Sequence, residues 1–262
     1  MASPGKMDER IQAFQAARDR GEPIAVLTAY DYPMARLLDE SGVDVLLVGD
    51  SLGMVVLGYP DTTLVTMDEM LHHTRAVSRG AKRALIIGDL PIRSADTPDL
   101  AIENSRRFLE AGAHAVKLEG GASHAAHISA LTAAGIPVMA HIGMQPQRVR
   151  IEGGYRMKGK TPEQATALLA DATAVEKAGA FGLLLELVVP DLAKEITTRV
   201  KIPTIGIGSG SDCSGQVLVL HDVIGLFPWF KPKFATQRAD VAAEIRRAAA
   251  EYVRAVKEKR GN

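Results

Sequence analysis

The chain has 262 residues, of which 47% are apolar and 24% are charged, values that are ordinary for a globular protein. Its 31 basic and 31 acidic side chains cancel, so the charge balance does not favour a nucleic-acid surface, which needs clustered basic residues. No apolar run approaches the roughly 18 residues of a membrane span, and the single cysteine, Cys213, cannot form an intrachain disulfide. These features predict a cytoplasmic protein without a nucleic-acid or membrane partner, in which Cys213 is a small packing residue.

The N-terminal region is predicted to contain a helix followed by a strand. Residues 1–6 have the character of a flexible tail, whereas residues 8–20 place Ile11 and Phe14 at helical spacing. A helix before the first strand of a barrel can close the lower end of that barrel. Residues 24–30 then form an apolar run typical of a strand.

The second predicted strand is the most informative stretch of the chain. Residues 45–48 are apolar without a polar break, and Gly49, Asp50 and Ser51 follow them directly. A short apolar run bounded in this way is typical of a strand buried on both faces, as in a parallel sheet. A carboxylate and a hydroxyl at its end indicate a functional site, because parallel α/β folds carry their chemistry at the carboxyl ends of the strands.

Four further strands show the same pattern, an apolar run that ends near an ionisable side chain. They are predicted at 84–88, 113–118, 137–142 and 181–186, with Asp89, Lys117, Glu119, His141 and Glu186 at or beside their ends. Strands at 203–207 and 216–220 complete the set, and the glycine-rich segment 208–210 follows the seventh strand. Alone, that segment is a weak phosphate-binding signal.

Helical segments separate these strands. Thr66–Glu69 and Thr161–Gln164 match the capping-box pattern, so helices are predicted to begin at both sites. Further helices are predicted at 33–42, 97–112, 123–134, 191–200 and 239–257, the last with an apolar face. The connections 54–65 and 143–160 are longer than usual βα loops, which indicates lids or binding loops.

Eight strands alternating with helices, without a break in composition, predict one domain over residues 1–262. The length matches the roughly 250 residues typical of a (β/α)8 TIM barrel, which is therefore the predicted fold, with an N-terminal helix before the first strand. A doubly wound open sheet is the alternative. It is weakened because no Rossmann phosphate fingerprint follows the first strand.

In a barrel, the ionisable strand ends would converge on one side of the mouth. Asp50, Asp89 and Glu119 would repel one another unless positive charge lies among them. Lys117 supplies one such charge and a divalent cation the other; oxygen ligands favour Mg²⁺ over zinc. Lys117 and Glu119 are two residues apart, so they face the same way, either inward as anchor and ligand or outward as a strand-end ion pair.

Each of these candidates also has a structural interpretation that the sequence leaves open. Asp50 and Asp89 would also serve as helix caps or turn-forming side chains. His141 is either catalytic or a hydrogen-bonded histidine near the core. Glu186, at the end of a very apolar strand, suits a general acid or base, but it would also fit an ion pair with Arg or Lys.

Other ionisable side chains are weaker candidates. Asp212, His221 and Asp222 would line the same mouth, but their spacing decides nothing. His72 and His73 lie within a predicted helix, where packing or surface exposure explains them.

Several motifs, in order and well spaced, together closely resemble the ketopantoate hydroxymethyltransferase family. They are Thr28–Asp31, Leu47–Met54, Asp89–Pro91, Val116–Gly121, His141–Pro146, Gly153–Tyr155, Glu186 before Pro190, and Ile205–Gly208. The resemblance covers nearly the whole chain, from Ile24 to Phe234. Its Gly-Asp-Ser-Leu-Gly-Met and Lys-x-Glu-Gly-Gly elements are together highly specific.

The resemblance implies a Mg²⁺-dependent (β/α)8 barrel that transfers a one-carbon unit from 5,10-methylenetetrahydrofolate to the keto acid 3-methyl-2-oxobutanoate. The product is 2-dehydropantoate, in pantothenate synthesis. Matched by position, the metal ligands are expected to be Asp50, Asp89 and Glu119, and the keto-acid site to comprise Asp50, Ser51, Asp89 and Lys117. Glu186 is expected to accept a proton, with His141 in a supporting position. A homodecamer, a pentamer of dimers, is also implied.

Two residues depart from the family pattern. Ser209 occupies a position where alanine is usual, and Ser214 one where aspartate often precedes Gly-Gln, which puts any folate contact in that loop in doubt. The alternative enzyme class is a Mg²⁺-dependent C–C lyase of the isocitrate lyase and phosphoenolpyruvate mutase type, which shares the barrel and the enolate chemistry. Its typical Cys-containing lid motif is absent from this sequence. A barrel retained only as a binding or scaffold protein would have lost the acidic residues at its strand ends, whereas this sequence retains them.

Overall fold

A computed structural model describes residues 8–258, so the predicted tail, 1–6, lies outside the described residues. Parallel strands form a closed barrel in which each strand lies beside the next one in sequence. They are β1 (Ile24–Thr28), β2 (Val45–Val48), β3 (Leu85–Asp89), β4 (Ala115–Glu119), β5 (Val138–Gly143), β6 (Gly182–Glu186), β7 (Thr204–Ile207) and β8 (Gly215–Leu218). The predicted TIM barrel is confirmed, and every strand overlaps its predicted range.

Helices precede, separate and follow these strands along the chain. The α-helices are α1 (Glu9–Asp19), α2 (Tyr32–Glu40), α3 (Leu52–Val55), α4 (Met67–Gly80), α5 (Pro98–Glu110), α6 (Ala125–Ala133), α7 (Val149–Glu152), α8 (Pro162–Lys177), α9 (Pro190–Arg199), α10 (Leu220–Val223) and α11 (Val241–Lys257). Short 3-10 helices span Thr62–Leu64, Ala122–His124 and Pro146–Arg148. In the described part of the chain, no helix is long and apolar enough to cross a membrane.

The two predicted capping boxes have different outcomes. At α4 the box is complete, because Thr66 accepts from the backbone of Glu69 and Glu69 accepts from the backbone of Thr66. At α8 only half of the box forms: Thr161 accepts from Gln164 N at 3.4 Å. The Gln164 side-chain oxygen instead accepts from the backbone N–H groups of the two preceding loop residues, 159 and 160, at 3.1 and 3.0 Å. The side chain of Gln164 therefore fixes the end of the loop rather than the cap.

The connections depart from the simple alternation that the sequence predicts. Both long loops contain short helices: α3 and one 3-10 helix follow β2, while another 3-10 helix and α7 follow β5. Between β7 and β8 there is no helix, only residues 208–214. That segment consists mainly of Gly and Ser, which have poor helix propensity. The helices predicted from the sequence also leave this one connection without a helix, in agreement with the structure.

The core has two layers. One packs the outward strand faces against the surrounding helices and includes Phe108 and Ile128. The other fills the lower barrel interior, where Ile11 and Phe14 of α1 lie in one cluster with inward strand residues. The ring of Phe14 packs edge-on against Phe181 with centroids 5.4 Å apart. Helix α1 therefore closes the N-terminal end of the barrel, as predicted, and leaves chemistry to the opposite end.

The chain comprises two compact units, one ending at Val217 and the other beginning at Leu218. The first unit contains β1 to β7, the helices between them and most of β8. The second contains α10 and the long helix α11, whose predicted apolar face is largely exposed: Ile245 is 53% and Tyr252 62% accessible. The prediction of one domain over residues 1–262 stays a prediction.

Candidate active site

The pairing of neighbouring strands brings the predicted site residues together at the carboxyl end of the barrel. In the parallel register, Asp89 at the end of β3 pairs with Lys117 of β4. Glu119 pairs with His141 of β5, and the last residue of β5 pairs with Glu186 of β6. Side chains from strands that are about 4.8 Å apart are thereby placed side by side. Asp50, two residues beyond β2, joins them.

Lys117 lies at the centre of this arrangement. Its Nζ donates to Asp89 Oδ1 at 2.5 Å and to Glu119 Oε1 at 3.4 Å, and its side chain is only 4% exposed. The backbone N–H of Asp50 donates to Asp89 Oδ2 at 3.1 Å. We call Asp50, Asp89 and Glu119 the acidic cluster. Lys117 and Glu119 therefore both face inward, and the surface ion-pair interpretation is excluded.

Gln147 is a site residue that the sequence analysis missed. Its backbone N–H donates to Glu119 Oε2 at 3.2 Å, and its side-chain Nε2 donates to Asp50 Oδ2 at 3.0 Å and to Leu90 O at 2.9 Å. One residue of the β5–α8 connection thus binds two members of the acidic cluster. A neutral amide in a long loop has no distinctive charge or spacing. The only signal for Gln147 in the sequence was the unusual length of its loop, which indicated a functional role for the loop as a whole.

The carboxylates of the acidic cluster are not equally compensated. Burial raises the pKa of Asp50 well above its ordinary value, and the adjacent charge of Asp89 raises it further. Burial also raises the pKa of Asp89, although Lys117 opposes this. Burial acts in the same direction on Glu119, but Lys117 and then His141 hold its pKa below the ordinary value. Asp50 is therefore the member of the cluster whose negative charge is least stabilised by the protein.

His141 connects the acidic cluster to Glu186. Its Nδ1 lies 3.4 Å from Glu119 Oε1, and its Nε2 lies 3.3 Å from Glu186 Oε2. Burial and the charge of Lys117 lower the pKa of His141, but the two carboxylates outweigh them and raise it to about 9. The imidazole is therefore protonated at neutral pH. Its positive charge lies beside the Glu186 carboxylate. From the sequence alone, an ion pair of Glu186 with Arg or Lys had been an open alternative.

Ser51 lies at the edge of the site. Its Oγ is 2.8 Å from the hydroxyl of Tyr30, which follows β1. This contact joins the ends of the first two strands. The serine makes no side-chain capping bond to α3, so its hydroxyl is placed by Tyr30 rather than by the helix.

Two loops meet over the mouth of the barrel. Arg150 of the β5–α8 connection pairs with Asp61 of the β2–α4 connection through Nε–Oδ2 and Nη2–Oδ1 distances of 2.7 and 3.3 Å. Tyr155 Oη lies 3.9 Å from Met54 Sδ. Burial raises the pKa of Tyr155, and the charges of Glu186 and Asp50 raise it further. The phenol therefore lies within the electric field of the site, as a residue of a lid would.

Several weaker candidates have structural roles outside the site. His73 contacts the backbone oxygen of Tyr30 through Nδ1 at 2.6 Å, in agreement with the packing interpretation. Asp212 pairs with Lys194 at 3.4 Å on the surface. Cys213 is half-buried, and burial raises the pKa of its thiol, which agrees with a packing role. His221 and Asp222 belong to the second unit; burial raises the pKa of Asp222 to about 6.

The two serines that depart from the family pattern lie at opposite ends of β7 and β8. Ser209 follows β7 and is buried beside the end of β6, where its Oγ donates to Leu185 O at 2.8 Å. Ser214 precedes β8, and its Oγ accepts from the backbone N–H of Thr204, the first residue of β7, at 3.2 Å. Ser214 is therefore at the lower end of the barrel.

The chemistry of the acidic cluster fits a hard divalent cation. Its three carboxylates face the one ammonium of Lys117, which leaves excess negative charge in a buried place. Within residues 8–258, however, no three side chains of His, Cys, Asp or Glu are arranged as a ready metal-binding group. Lys117 and Gln147 donate to the same carboxylate oxygens that a cation would need. The assignment of Asp50, Asp89 and Glu119 as metal ligands therefore stays a prediction. Its support is the excess of negative charge in the acidic cluster.

The sequence was compared with known families and curated proteins. The model of the ketopantoate hydroxymethyltransferase family matches residues 8–260. A 3-methyl-2-oxobutanoate hydroxymethyltransferase from Clostridium botulinum is 49% identical, with 96% of this chain and 92% of the relative covered. Proteins of the same name from Chloroflexus aurantiacus and Pyrobaculum islandicum are 54% and 55% identical, covering 92% of this chain and 86% and 92% of their own.

The fold was also compared with solved structures. A phosphonopyruvate hydrolase in complex with oxalate and Mg²⁺ superposes with a TM-score of 0.65 at 16% identity, covering 95% of this chain and 88% of that one. A 2,3-dimethylmalate lyase, described as a member of the PEP mutase/isocitrate lyase superfamily, gives 0.64 at 16% identity, covering 96% and 89%. At this identity the match supports the barrel fold alone.

Proposed function

Because this chain belongs to the ketopantoate hydroxymethyltransferase family and is an enzyme of that kind, we propose that its one-carbon donor is 5,10-methylenetetrahydrofolate and its acceptor 3-methyl-2-oxobutanoate. The product is 2-dehydropantoate. The observation that carries the proposal is the pairing of Glu186 with a protonated His141 beside the buried acidic cluster. This arrangement places a base next to a strongly polar pocket, as carbon deprotonation next to a carbonyl requires.

The acidic cluster is proposed to hold Mg²⁺. The support is its all-oxygen chemistry and its excess of buried negative charge over the ammonium of Lys117. When bound, the cation supplies electrostatic stabilisation of the negative charge that develops on the keto oxygen. Lys117 and Ser51 are proposed to contact the keto acid, Lys117 through its charge and Ser51 through the hydroxyl that Tyr30 orients.

Glu186 is proposed to remove the proton from C3 of the keto acid. The electron pair of the broken C–H bond becomes the nucleophile that attacks the methylene carbon of the folate. One C–N bond of the methylene bridge breaks to give an iminium, and the new C–C bond forms as the electron pair of the C=N bond returns to nitrogen. Water then displaces that nitrogen from the methylene carbon, which leaves a hydroxymethyl group. Tetrahydrofolate departs with one proton from water and the one that Glu186 removed. The imidazolium of His141 fixes the Glu186 carboxylate at 3.3 Å before the proton moves. Folate is large, and the two contacting loops, with Tyr155 above the charges, give it a covering surface.

The experiment that tests the proposal uses exchange of the C3 proton for deuterium in D₂O, followed by NMR without folate. We expect Glu186→Gln to bind the keto acid in the presence of Mg²⁺ and to lose exchange by a factor of about 10² or more, because the base is gone. Glu163→Gln, an exposed residue at the start of α8, is the matched control and should exchange normally. Undiminished exchange in Glu186→Gln would remove Glu186 from the role of base.

The fold similarity to lyases and mutases keeps the C–C lyase as the alternative activity. The two activities differ in their need for folate. Tetrahydrofolate-dependent consumption of 3-methyl-2-oxobutanoate, measured with and without EDTA, separates them, since a lyase would not require the folate. The family match over residues 8–260 favours the transferase.

We also propose that the protein is a cytoplasmic homodecamer built as a pentamer of dimers. The support is the resemblance to the family and the single free cysteine, which suits a reducing compartment.

A further inference from the structure

We propose that Ser209 is a positioning residue for Glu186, and that its hydroxyl closes the turn that carries the base. The proposal rests on the proposed role of Glu186 in proton abstraction. Ser209 is 1% exposed. Its Oγ donates to Leu185 O at 2.8 Å and accepts from Val188 N at 3.0 Å. One oxygen atom therefore joins the residue before Glu186 to the residue two positions after it.

The turn after Glu186 has a conformation that needs external support. Leu187 has a φ of 48°, in the left-handed region that residues other than glycine rarely adopt. Neighbouring elements bind the backbone on each side: Glu186 O accepts from Met144 N at 2.8 Å, and Leu187 N donates to Ile207 O at 2.9 Å. A left-handed leucine is maintained only where surrounding contacts outweigh its strain. The hydrogen bonds of Ser209 are part of that support.

Ser209 provides a hydroxyl that the alanine usual at this position in the family lacks, so the dependence of the turn on this group is proposed for this chain and not for the family as a whole. Alanine would fill nearly the same volume, but the two backbone groups would lose this partner in a region where Val188 is fully buried. A buried backbone N–H without an acceptor is unfavourable, so the turn would shift to find one. The Oγ of Ser209 also lies 3.3 Å from Ile207 O, which ties the hydroxyl to the end of β7.

The same turn also anchors the lid. Lys158, in the β5–α8 connection, donates its backbone N–H to Leu187 O at 2.7 Å and accepts from Val189 N at 3.0 Å. A shift at Val188 would therefore move both the base and the end of the loop that covers it. Since displacements of about 1 Å can reduce rates by up to about 10²-fold, a single lost hydroxyl is expected to be visible in proton abstraction.

The test measures C3 deuterium exchange of 3-methyl-2-oxobutanoate in D₂O with Mg²⁺ and no folate, comparing wild type with Ser209→Ala and Ser209→Cys. We expect Ser209→Ala to lower the exchange kcat by about tenfold or more, with KM for the keto acid unchanged within about twofold, because the base is displaced while the acidic cluster is intact. Ser209→Cys, which retains a weak donor and acceptor, should lie between the two.

Ser214→Ala is the matched control. It also removes a hydroxyl that accepts from a backbone N–H, here a half-buried one at the opposite end of β7, and it should leave exchange unchanged. The proposal is overturned if Ser209→Ala exchanges at the wild-type rate, or if Ser209→Ala and Ser214→Ala slow exchange equally. If Ser209→Ala does not fold, Ser209→Cys decides in the same way. If wild type itself shows no exchange, or Glu186→Gln exchanges normally, the proposed function fails and not the role of Ser209.

Discussion

Two buried aspartates at opposite ends of the barrel have opposite electrostatic environments. Asp39, 6% exposed, accepts from the backbone N–H groups of residues 82, 83 and 84 at 3.0, 2.9 and 2.8 Å, just before β3 begins. Burial would raise its pKa, but these three donors hold it below the ordinary value. Asp50, 4% exposed, lies at the mouth, where burial and Asp89 raise its pKa.

This difference in pKa distinguishes a carboxylate with a structural role, Asp39, from one with a functional role, Asp50. The carboxylate of Asp39 has the donors that it needs, so it stabilises the lower end of the barrel. The carboxylate of Asp50 receives one amide, from Gln147, and faces a second negative charge. A buried charge that the protein itself leaves poorly compensated is available to a ligand, at the expense of stability.

The largest expected effect comes from removing the one ammonium of the site. Lys117→Met should lower the free energy of unfolding of the metal-free protein by about 3–5 kcal/mol at pH 7, because it leaves the imidazolium of His141, beside Glu119, as the remaining counter-charge of the acidic cluster. The loss should be smaller at pH 5, where the carboxyl groups with raised pKa take up protons. Urea unfolding at the two pH values measures both effects.

The control for this variant lies at the lower end of the barrel. Lys82→Met removes the same charge from an exposed side chain, and we expect a change within about 0.5 kcal/mol. Equal losses in the two variants would show that Lys117 contributes no more than a surface lysine.

The two aspartates themselves should respond to neutralisation with opposite signs. Asp39→Asn should destabilise the protein by about 2 kcal/mol, because an amide accepts the three N–H groups less well. Asp50→Asn should instead stabilise the metal-free protein at pH 7 by about 1 kcal/mol, while abolishing the Mg²⁺ dependence of keto-acid binding. Thermal and urea unfolding in EDTA, with calorimetric titration of the keto acid, measure these changes.

The pH dependence of stability is a second test of the opposite signs expected for Asp39→Asn and Asp50→Asn. A carboxyl whose folded pKa is raised binds its proton more tightly in the folded state, so its contribution to stability falls as pH rises above the ordinary value of 3.8. The advantage of Asp50→Asn over wild type should therefore grow from pH 4 to pH 7. For Asp39, whose pKa is lowered, the stabilising contribution is present above 3.8 and disappears as pH falls. An advantage of Asp50→Asn that shrank with pH would contradict the comparison.

An effect smaller than that of Asp39→Asn is expected at Gln147, which supports the poorly compensated charge without carrying charge itself. Gln147→Ala should weaken Mg²⁺ binding by about tenfold, because the Asp50 carboxylate loses the amide that orients it. Gln145→Ala, two residues earlier in the same loop, is the control and should bind Mg²⁺ normally. Isothermal titration of the two variants with Mg²⁺ decides, and equal affinities would exclude an orienting role.

The sequence predicted most of the barrel because its signals are local. Apolar runs such as residues 45–48 and helix starts such as Thr66 depend only on neighbouring residues. Strand-end placement then indicated which ionisable residues would meet, and the register that pairs Asp89 with Lys117 brought them together. The spacing of Lys117 and Glu119 predicted that both side chains point to the same face of the strand. It did not predict that this face is the inner one.

What the sequence could not predict depends on contacts between distant segments. Gln147 reaches Asp50 and Leu90 across the mouth, and nothing in its own surroundings distinguishes it from a loop glutamine. The left-handed conformation of Leu187 arises because neighbouring strands bind its backbone, whereas leucine alone would avoid it.

The β5–α8 connection is hydrogen-bonded to the barrel near both of its ends. This determines the expected outcome when a protease cleaves the connection. Ile151, near its middle, is 78% exposed, and Gly153 and Gly154 lie two and three residues after it, features of a site open to cleavage. A cut there would leave Gln147 bound to the acidic cluster on one side and Lys158 bound to the turn after Glu186 on the other. We therefore expect a nicked chain to remain assembled from its two fragments, with the ionisable groups of the barrel still in place.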